Sequence, residues 1–198
     1  PDGDWEPCTL LKDKKVLVIG SGPGVKKYKT AIEDFILQTK PYVIALNTQS
    51  NIKQNLIDAR AACHPVRMLA DCKDHLKLPQ PLIASFSMLP EVVKKGLKDK
   101  EILDFGIAMN NQGFKFHQNH CELTSSLVFA YVLAVANSGL ANQIILAGFD
   151  GFNSEDLRKK EMDQILKTYR EHPDALTLKS ITPTRYEISV QSVFGFKH

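Results

Sequence analysis

The stretch KVLVIGSGPG, residues 15–24, decides the fold class of this chain. Four consecutive apolar residues at 16–19 predict a short strand buried on both faces, because a strand with one exposed face alternates apolar and polar residues. Gly20, Gly22 and Gly24 then permit the tight turn by which a strand leads into a helix. The stretch therefore predicts the first strand–turn–helix unit of a parallel sheet.

The same alternation of short apolar runs and helical patterns continues to the end of the chain. We predict further strands at 43–46, 66–69, 82–86, 105–109, 144–147, 176–181 and 187–193. We predict helices at 26–39, 51–62, 123–136 and 155–169. Residues 73–96 and 110–121 are less regular and are interpreted as loops near a site. Together these patterns predict an α/β fold, a Rossmann-like domain with a mainly parallel sheet and helices on both faces.

The composition is typical of a globular domain. Of the 198 residues, 43% are hydrophobic and 24% are charged, which excludes the disordered and low-complexity classes. The length predicts one domain that spans residues 1–198. The net charge of +3 is too small to indicate nucleic-acid binding, and it is compatible with a small anionic ligand.

The cysteines and the start of the chain indicate a cytoplasmic protein. Cys8, Cys63, Cys72 and Cys121 form no CxxC pair and have no dense spacing, as expected of reduced thiols. No apolar run approaches the ~18 residues of a membrane span, and no signal segment begins the sequence. Because the chain begins with Pro1 and not with Met, we expect it to be the C-terminal part of a longer protein.

The turn after the first strand is the first candidate binding site. In a doubly wound sheet, ligands bind beyond the carboxyl ends of the strands, and the start of a helix offers free N–H groups to an anion. We predict that a phosphate lies against the residues of this turn, which are Gly20, Ser21, Gly22, Pro23 and Gly24. The alternative is an ordinary strand-to-helix turn without a ligand.

Asn47, which follows the second predicted strand, argues against a dinucleotide. Dinucleotide-binding domains have GxGxxG in the first turn and an acidic residue near the end of the second strand, and this chain has neither. The Asn47 amide is suited to hydrogen-bond a base or a ribose. Asn47 is equally consistent with a structural role, as a residue that caps a helix or forms a turn.

Two further groups are candidates for ligand contacts. Thr124, Ser125 and Ser126 open the apolar helix predicted at 123–136, where hydroxyl groups either cap the helix or hold a phosphate or carboxylate. Asp150 follows the strand at 144–147, where its carboxylate is suited to bind ribose or sugar hydroxyls. The alternative for Asp150 is to cap the next helix.

A histidine-rich segment is the candidate for acid–base chemistry. His117, His120 and Cys121 form the pattern HxxHC, which lacks the spacing and the second ligand cluster of a structural zinc site. We therefore predict no bound metal. Either histidine is a candidate general base, and the alternative is a loop histidine without a chemical role.

These segments, taken in order, resemble the bacterial sialyltransferases that use CMP-sialic acid. The matching residues are the turn at 20–24, Asn47, the hydroxyl groups at 124–126 and the sequence Gly148-Phe149-Asp150. The first turn is also similar to that of pterin pyrophosphokinase-like proteins. The phrases IILAGFDGFN (144–153) and SITPTRYEI (180–188) resemble most closely a domain of longer bacterial proteins. In those proteins the domain follows a barrel similar to HMG-CoA lyase or 4-hydroxy-2-oxovalerate aldolase, and they are associated with surface polysaccharide synthesis.

The resemblance implies three alternative functions. The domain binds a nucleotide or nucleotide sugar of the CMP type, or it is an active glycosyltransferase with His117 or His120 as the base. As a third alternative, it is a non-catalytic module that pairs with an aldolase-like barrel of the same chain. Gly24 and Ser126 stand where the sialyltransferases have Ser and Gly, and no downstream histidine lies in a matching motif. Nucleotide binding, without a resident cofactor, is therefore favoured over sialyl transfer.

Overall fold

A computed structural model describes residues 1–153 and 155–196 of the chain. Its strands are β1 Lys15–Ile19, β2 Tyr42–Leu46, β3 Ala59–Ala61, β4 Leu82–Ala84, β5 Ile102–Asp104, β6 Gly106–Met109, β7 Lys115–Phe116, β8 His120–Leu123, β9 Gln143–Ala147, β10 Leu178–Ser180 and β11 Ser189–Val190. Its α-helices are α1 Cys8–Leu11, α2 Pro23–Lys27, α3 Lys29–Thr39, α4 Pro65–Ala70, α5 Cys72–Lys77, α6 Glu91–Gly96, α7 Val128–Ser138 and α8 Leu157–Arg170. Short 3₁₀ turns lie at Gln54–Leu56, Phe86–Met88 and Val193–Phe196.

Eight of the strands form one parallel sheet, which confirms the predicted α/β, Rossmann-like fold. The order across this sheet is β11-β10-β9-β1-β2-β3-β4-β5, and every neighbouring pair is parallel. From β1 the chain adds strands in one direction up to β5, and it later adds β9 to the opposite side of β1. This reversal opens a crevice at the carboxyl ends of β1 and β9, where ligands of such folds bind.

Successive residues of β1 pack on opposite faces of the sheet. Val16 and Val18 belong to the apolar cluster that includes α7, while Leu17 and Ile19 belong to the cluster that includes residues of α3. All four side chains are fully buried. The continuous apolar run is explained by this two-sided burial, since side chains alternate between the faces of a strand.

Two predicted elements between β2 and β4 are wrong. The predicted helix at 51–62 contains instead a 3₁₀ turn and β3, because β3 pairs with both β2 and β4 and this pairing outweighs the helix preference of its alanines. The predicted strand at 66–69 lies within α4. Pro65 occupies the first turn of α4, where its missing N–H is not needed.

The predicted helix at 123–136 begins later than the sequence pattern indicates. Leu123 ends β8, which pairs with β6 and β7 in a second, three-stranded sheet, and α7 begins only at Val128. The residues predicted as a strand at 105–109 contribute β6 to this second sheet and not to the central one. The segments interpreted as loops contain α5, α6 and β7, besides β4, which corresponds to the predicted strand at 82–86.

Two further observations concern the cysteines and the helices. All four cysteines are free thiols, and burial raises the pKa of Cys63 to about 12. Within residues 1–153 and 155–196, no helix is long and apolar enough to cross a membrane.

Candidate functional site

A cavity of about 420 Å³ lies at the carboxyl ends of β1, β2 and β9. Its walls are the turn after β1 (Gly20, Ser21, Gly22, Pro23), the end of β2 (Leu46, Asn47), the start of α7 (Leu127, Val128, Phe129) and the segment at 148–152. Arg67, Arg158 and Met162 complete the lining. The cavity therefore lies where the reversal of strand order predicts a ligand site.

The cavity brings together predicted site residues that are distant in sequence. Four residues of the first turn, Asn47 and Asp150 all line it. Gly24 does not line it but contacts Asp150. Thr124, Ser125 and Ser126 form the loop just before the lining residue Leu127, so they lie next to the cavity and not in its wall.

The turn after β1 has fewer free N–H groups than an anion site needs. The Gly24 N–H donates to Oδ2 of Asp150 at 2.8 Å, and the Gly22 N–H donates to the Gly148 carbonyl at 2.8 Å. The Val25 N–H donates to the carbonyl of Gly22 at 3.1 Å. The anion at the start of α2 is thus the carboxylate of Asp150 itself.

The glycines of the turn have a structural explanation in this contact. A Cβ atom on Gly22 would overlap Oδ1 of Asp150 and the carbonyl oxygen of Gly148. Gly148 has a φ of 78°, and a Cβ there would overlap the side chain of Val25. Glycine is required at both positions because two backbone segments approach closely. The turn is therefore built around Asp150.

Asp150 retains an unused acceptor. Its Oδ2 atom accepts the hydrogen bond from Gly24, but its Oδ1 atom has no partner among the described residues. A buried polar atom without a partner is rare and unfavourable by about 1–3 kcal/mol. Oδ1 is packed against Gly22 and Gly24 and is closed to solvent, so a ligand in the cavity does not reach this atom in the present conformation.

Asn47 combines a turn backbone with an available side chain. Its φ is 51°, in the left-handed region that asparagine tolerates better than most residues. The Asn47 N–H donates to the carbonyl of Ala61 at 2.8 Å, and its carbonyl accepts from Arg60 at 3.1 Å. The side-chain amide forms no hydrogen bond within the described chain, so it is free to bind a ligand.

The hydroxyl groups before α7 are partly engaged by the protein. Ser125 Oγ donates to Oε1 of Glu161 at 2.7 Å and accepts from the Leu127 N–H at 3.2 Å. Thr124 and Ser126 are exposed. Helix α7 begins with Leu127 as its cap residue and has no side-chain cap. These contacts support a structural role for Ser125 and leave Thr124 and Ser126 accessible from solvent.

Two arginines that the sequence pattern did not indicate also line the cavity. Arg67 Nε lies 3.4 Å from Asp71, and its side chain is 57% exposed. Arg158 pairs with Asp156 at 2.6 Å, and its guanidinium lies 4.3 Å from the ring centre of Phe152. Hydrogen bonds from Arg158 lower the pKa of Asp156. Pro65 is the sequence signal that could have indicated α4, because proline is favoured in the first turn of a helix, and Arg67 lies in this helix.

His117 and His120 lie away from this cavity. His120 begins β8, whereas Thr124 follows its end, and His117 lines a separate cavity together with Asn137 and Ser138 of α7. The other end of α7, around Val128, lines the first cavity. Because 11 helical residues span about 16 Å, His117 lies far from the first cavity, and His120 stacks on His117.

The two histidines are held by each other and by carboxylates. Their rings stack with centres 4.1 Å apart. His117 Nε2 lies 3.2 Å from Glu122, and His120 Nδ1 lies 2.9 Å from Asp2. Burial and the nearby His117 lower the pKa of His120. In the residues that the structure describes, no group of three or more histidine, cysteine, aspartate or glutamate side chains is arranged to hold a metal ion.

Comparisons with known proteins do not identify a family. No protein-family model matches the sequence, and no curated protein matches it. The function therefore has to be inferred from the geometry of the cavity.

Proposed function

We propose that this domain binds a nucleotide or nucleotide sugar of the CMP type in the cavity between β1, β2 and β9. The observation that carries the proposal is the meeting of Asn47, Asp150 and the turn after β1 at one cavity. A volume of about 420 Å³ is within the range of small-molecule sites. The resemblance to proteins that use CMP-sialic acid supports the choice of nucleotide.

The polar groups of the cavity suggest how such a ligand is held. The free amide of Asn47 hydrogen-bonds the nucleoside, and the Asp150 carboxylate, which lines the cavity, faces the sugar. The phosphate lies near Arg67 and Arg158, since guanidinium groups pair well with phosphate oxygens. It does not lie at the Gly24 N–H, because Asp150 already occupies that donor and its negative charge repels a phosphate.

Binding without transfer is favoured over sialyl transfer. A transferase needs a base within hydrogen-bond reach of the acceptor hydroxyl. His117 and His120 are separated from the cavity by the length of α7. Asp150 is the carboxylate in the described lining, but its Oδ2 is engaged by the Gly24 N–H and its Oδ1 is closed to solvent. We therefore propose a binding domain that serves an aldolase-like barrel of the same chain in surface polysaccharide synthesis.

A thermal-shift screen tests the proposal. The ligands are CMP, CMP-sialic acid and cytidine, with AMP and GMP for comparison. CMP at 100 times its dissociation constant raises the free energy of unfolding by about 2.7 kcal/mol. Asn47→Ala is expected to remove the shift, whereas Asn142→Ala, at an exposed position before β9, is expected to keep it. Equal melting temperatures with and without every cytidine ligand contradict the proposal.

A further inference from the structure

Arg60 is a fully buried cation at the centre of β3. Its exposed fraction is 0%, and it lies on the face of the sheet opposite Ala59 and Ala61, which pack in the cluster that includes α7. Its guanidinium donates four hydrogen bonds, to Oε1 of Gln80 (2.8 Å), the Asn47 carbonyl (3.1 Å), the Gln49 carbonyl (2.7 Å) and Oε1 of Gln54 (2.7 Å). All four acceptors are neutral.

The charge of Arg60 is not balanced inside the described protein. Buried charges are normally paired with an opposite charge, because desolvation is unfavourable by several kcal/mol. Within residues 1–153 and 155–196, Arg60 forms no ion pair with a carboxylate. Burial lowers its pKa to about 10, so it is still cationic at neutral pH.

The positive charge of Arg60 acts on two neighbouring basic groups, His75 and Lys100. Burial lowers the pKa of His75 to about 4, so this imidazole is neutral at pH 7. Lys100 also has a lowered pKa, and Arg60 contributes to the lowering. Asp71 and Glu101 act on these two groups and not through a bond to Arg60. Asp74 also acts on His75, and none of these three carboxylates forms an ion pair with Arg60 among the described residues.

Arg60 lies directly behind the wall of the cavity. Its Nη1 atom contacts the carbonyls of Asn47, which lines the cavity, and of Gln49. Gln49 in turn donates from Nε2 to the carbonyl of Gly20 at 2.9 Å, and Gly20 also lines the cavity. One buried side chain thus holds the loop after β2 and, through Gln49, the turn after β1.

We propose that the anionic group of the cavity's ligand balances the buried charge of Arg60, so that the site selects phosphate-bearing ligands over neutral nucleosides. This inference rests on the proposed function and adds the charge that the ligand must carry. Arg60 acts as a positioning and electrostatic residue behind Asn47 and does not touch the ligand. Charges act across the buried wall with little screening by salt.

Affinities for CMP and cytidine, measured by isothermal titration, test this role. Arg60→Met removes both the charge and the hydrogen bonds that hold the Asn47 loop, so it is expected to weaken cytidine as well, but to weaken CMP about tenfold more than cytidine, because only CMP carries the phosphate. Arg60→Lys, which keeps the charge, is expected to retain most of the wild-type affinity for CMP. Gln80→Leu removes a neutral partner of Arg60 and is expected to leave the ratio of the two affinities unchanged. Equal losses for CMP and cytidine in Arg60→Met would show a purely structural role and overturn the inference.

An experiment on the wild type does not depend on the folding of any variant. We expect the Nε–Hε resonance of Arg60 to shift on titration with CMP and to stay in place with cytidine. CMP binding without movement of this resonance overturns the role of Arg60 alone. If CMP does not bind, the proposed function fails. In that case the protein is titrated with inorganic phosphate. A shift of the Arg60 resonance then supports the role of Arg60, and an unchanged resonance contradicts it.

Discussion

Oδ2 of Asp150 accepts a hydrogen bond from the backbone N–H of Gly24, 126 residues earlier in the chain, at 2.8 Å. This bond joins the turn after β1 to the segment after β9 at the edge where the candidate cavity lies. It accounts for the glycine-rich turn without a ligand. A motif that resembles a phosphate loop is here occupied by a side chain of the same protein.

Gly22→Ala is expected to destabilise the protein by about 1–3 kcal/mol, because the new Cβ overlaps the Gly148 carbonyl and the Asp150 carboxylate. Chemical denaturation measures the change, with Ser21→Ala at the exposed neighbouring position as the control. Stability within about 0.5 kcal/mol of wild type would contradict the close approach. Loss of ligand binding in a Gly22 variant is therefore not evidence of a ligand contact by itself.

His75 is expected to make the protein sensitive to acid. Its folded-state pKa of about 4 lies below the ordinary histidine value of 6.5, so the unfolded chain binds the proton more tightly. Stability is therefore full above about pH 6.5 and falls as the pH is lowered towards 4, by an amount on the order of 2–3 kcal/mol. Chemical denaturation at several pH values gives the free energy of unfolding as a function of pH, and this free energy should depend less on pH in His75→Gln than in the wild type. The exposed His64→Gln should keep the wild-type slope, and equal slopes for both variants would exclude this source.

His117→Ala and His120→Ala are expected to leave CMP affinity within about twofold of wild type. Both rings lie at the far end of α7 from the cavity and are held by Glu122 and Asp2. Isothermal titration measures the affinity, with Asn47→Ala as the variant that should lose it. A tenfold loss of CMP affinity in either histidine variant would indicate that this histidine acts on the ligand and would contradict the prediction.

Arg67→Met is expected to weaken CMP by about fivefold to tenfold and to reduce the dependence of its affinity on salt. Arg67 is largely exposed at the cavity, and among the described residues its ion-pair partner is Asp71 at 3.4 Å, so its charge is available to a phosphate. Arg170→Met, at the other end of α8 from Arg158, is the control for a general change in charge. If Arg67→Met and Arg170→Met weaken CMP equally, Arg67 does not bind the phosphate and the prediction is wrong.

The central sheet could be predicted from the sequence because its strands are continuous apolar runs. The runs at 16–19, 43–46 and 144–147 are each buried on both faces, and such runs are typical of the central strands of a parallel sheet. The residues 59–61 could not be assigned in this way. Ala59 and Ala61 favour a helix in isolation, and their pairing with β2 and β4 is a tertiary effect.

The candidate site could be predicted only in part. Asn47 and Asp150 follow recognisable strands, so the carboxyl edge of the sheet brings them together. Arg67 lies in a helix that the apolar pattern does not indicate, and the buried Arg60 lies in a strand that it does not indicate. The contact between Asp150 and Gly24 depends on side-chain direction, which periodicity does not provide.

The position of β9 beside β1 also has a consequence during synthesis. Strand β1 is complete early, but its partner on one side is β9, and the Gly24–Asp150 contact spans 126 residues. At about 5–20 residues per second, a ribosome needs about 6–25 s to supply the second wall of the cavity. Throughout that interval the backbone N–H and C=O groups along one edge of β1 are unpaired and open to other chains. The nascent chain therefore has no complete cavity until the lining residues at 148–162 have emerged, and a chaperone that covers β1 would protect it during this delay.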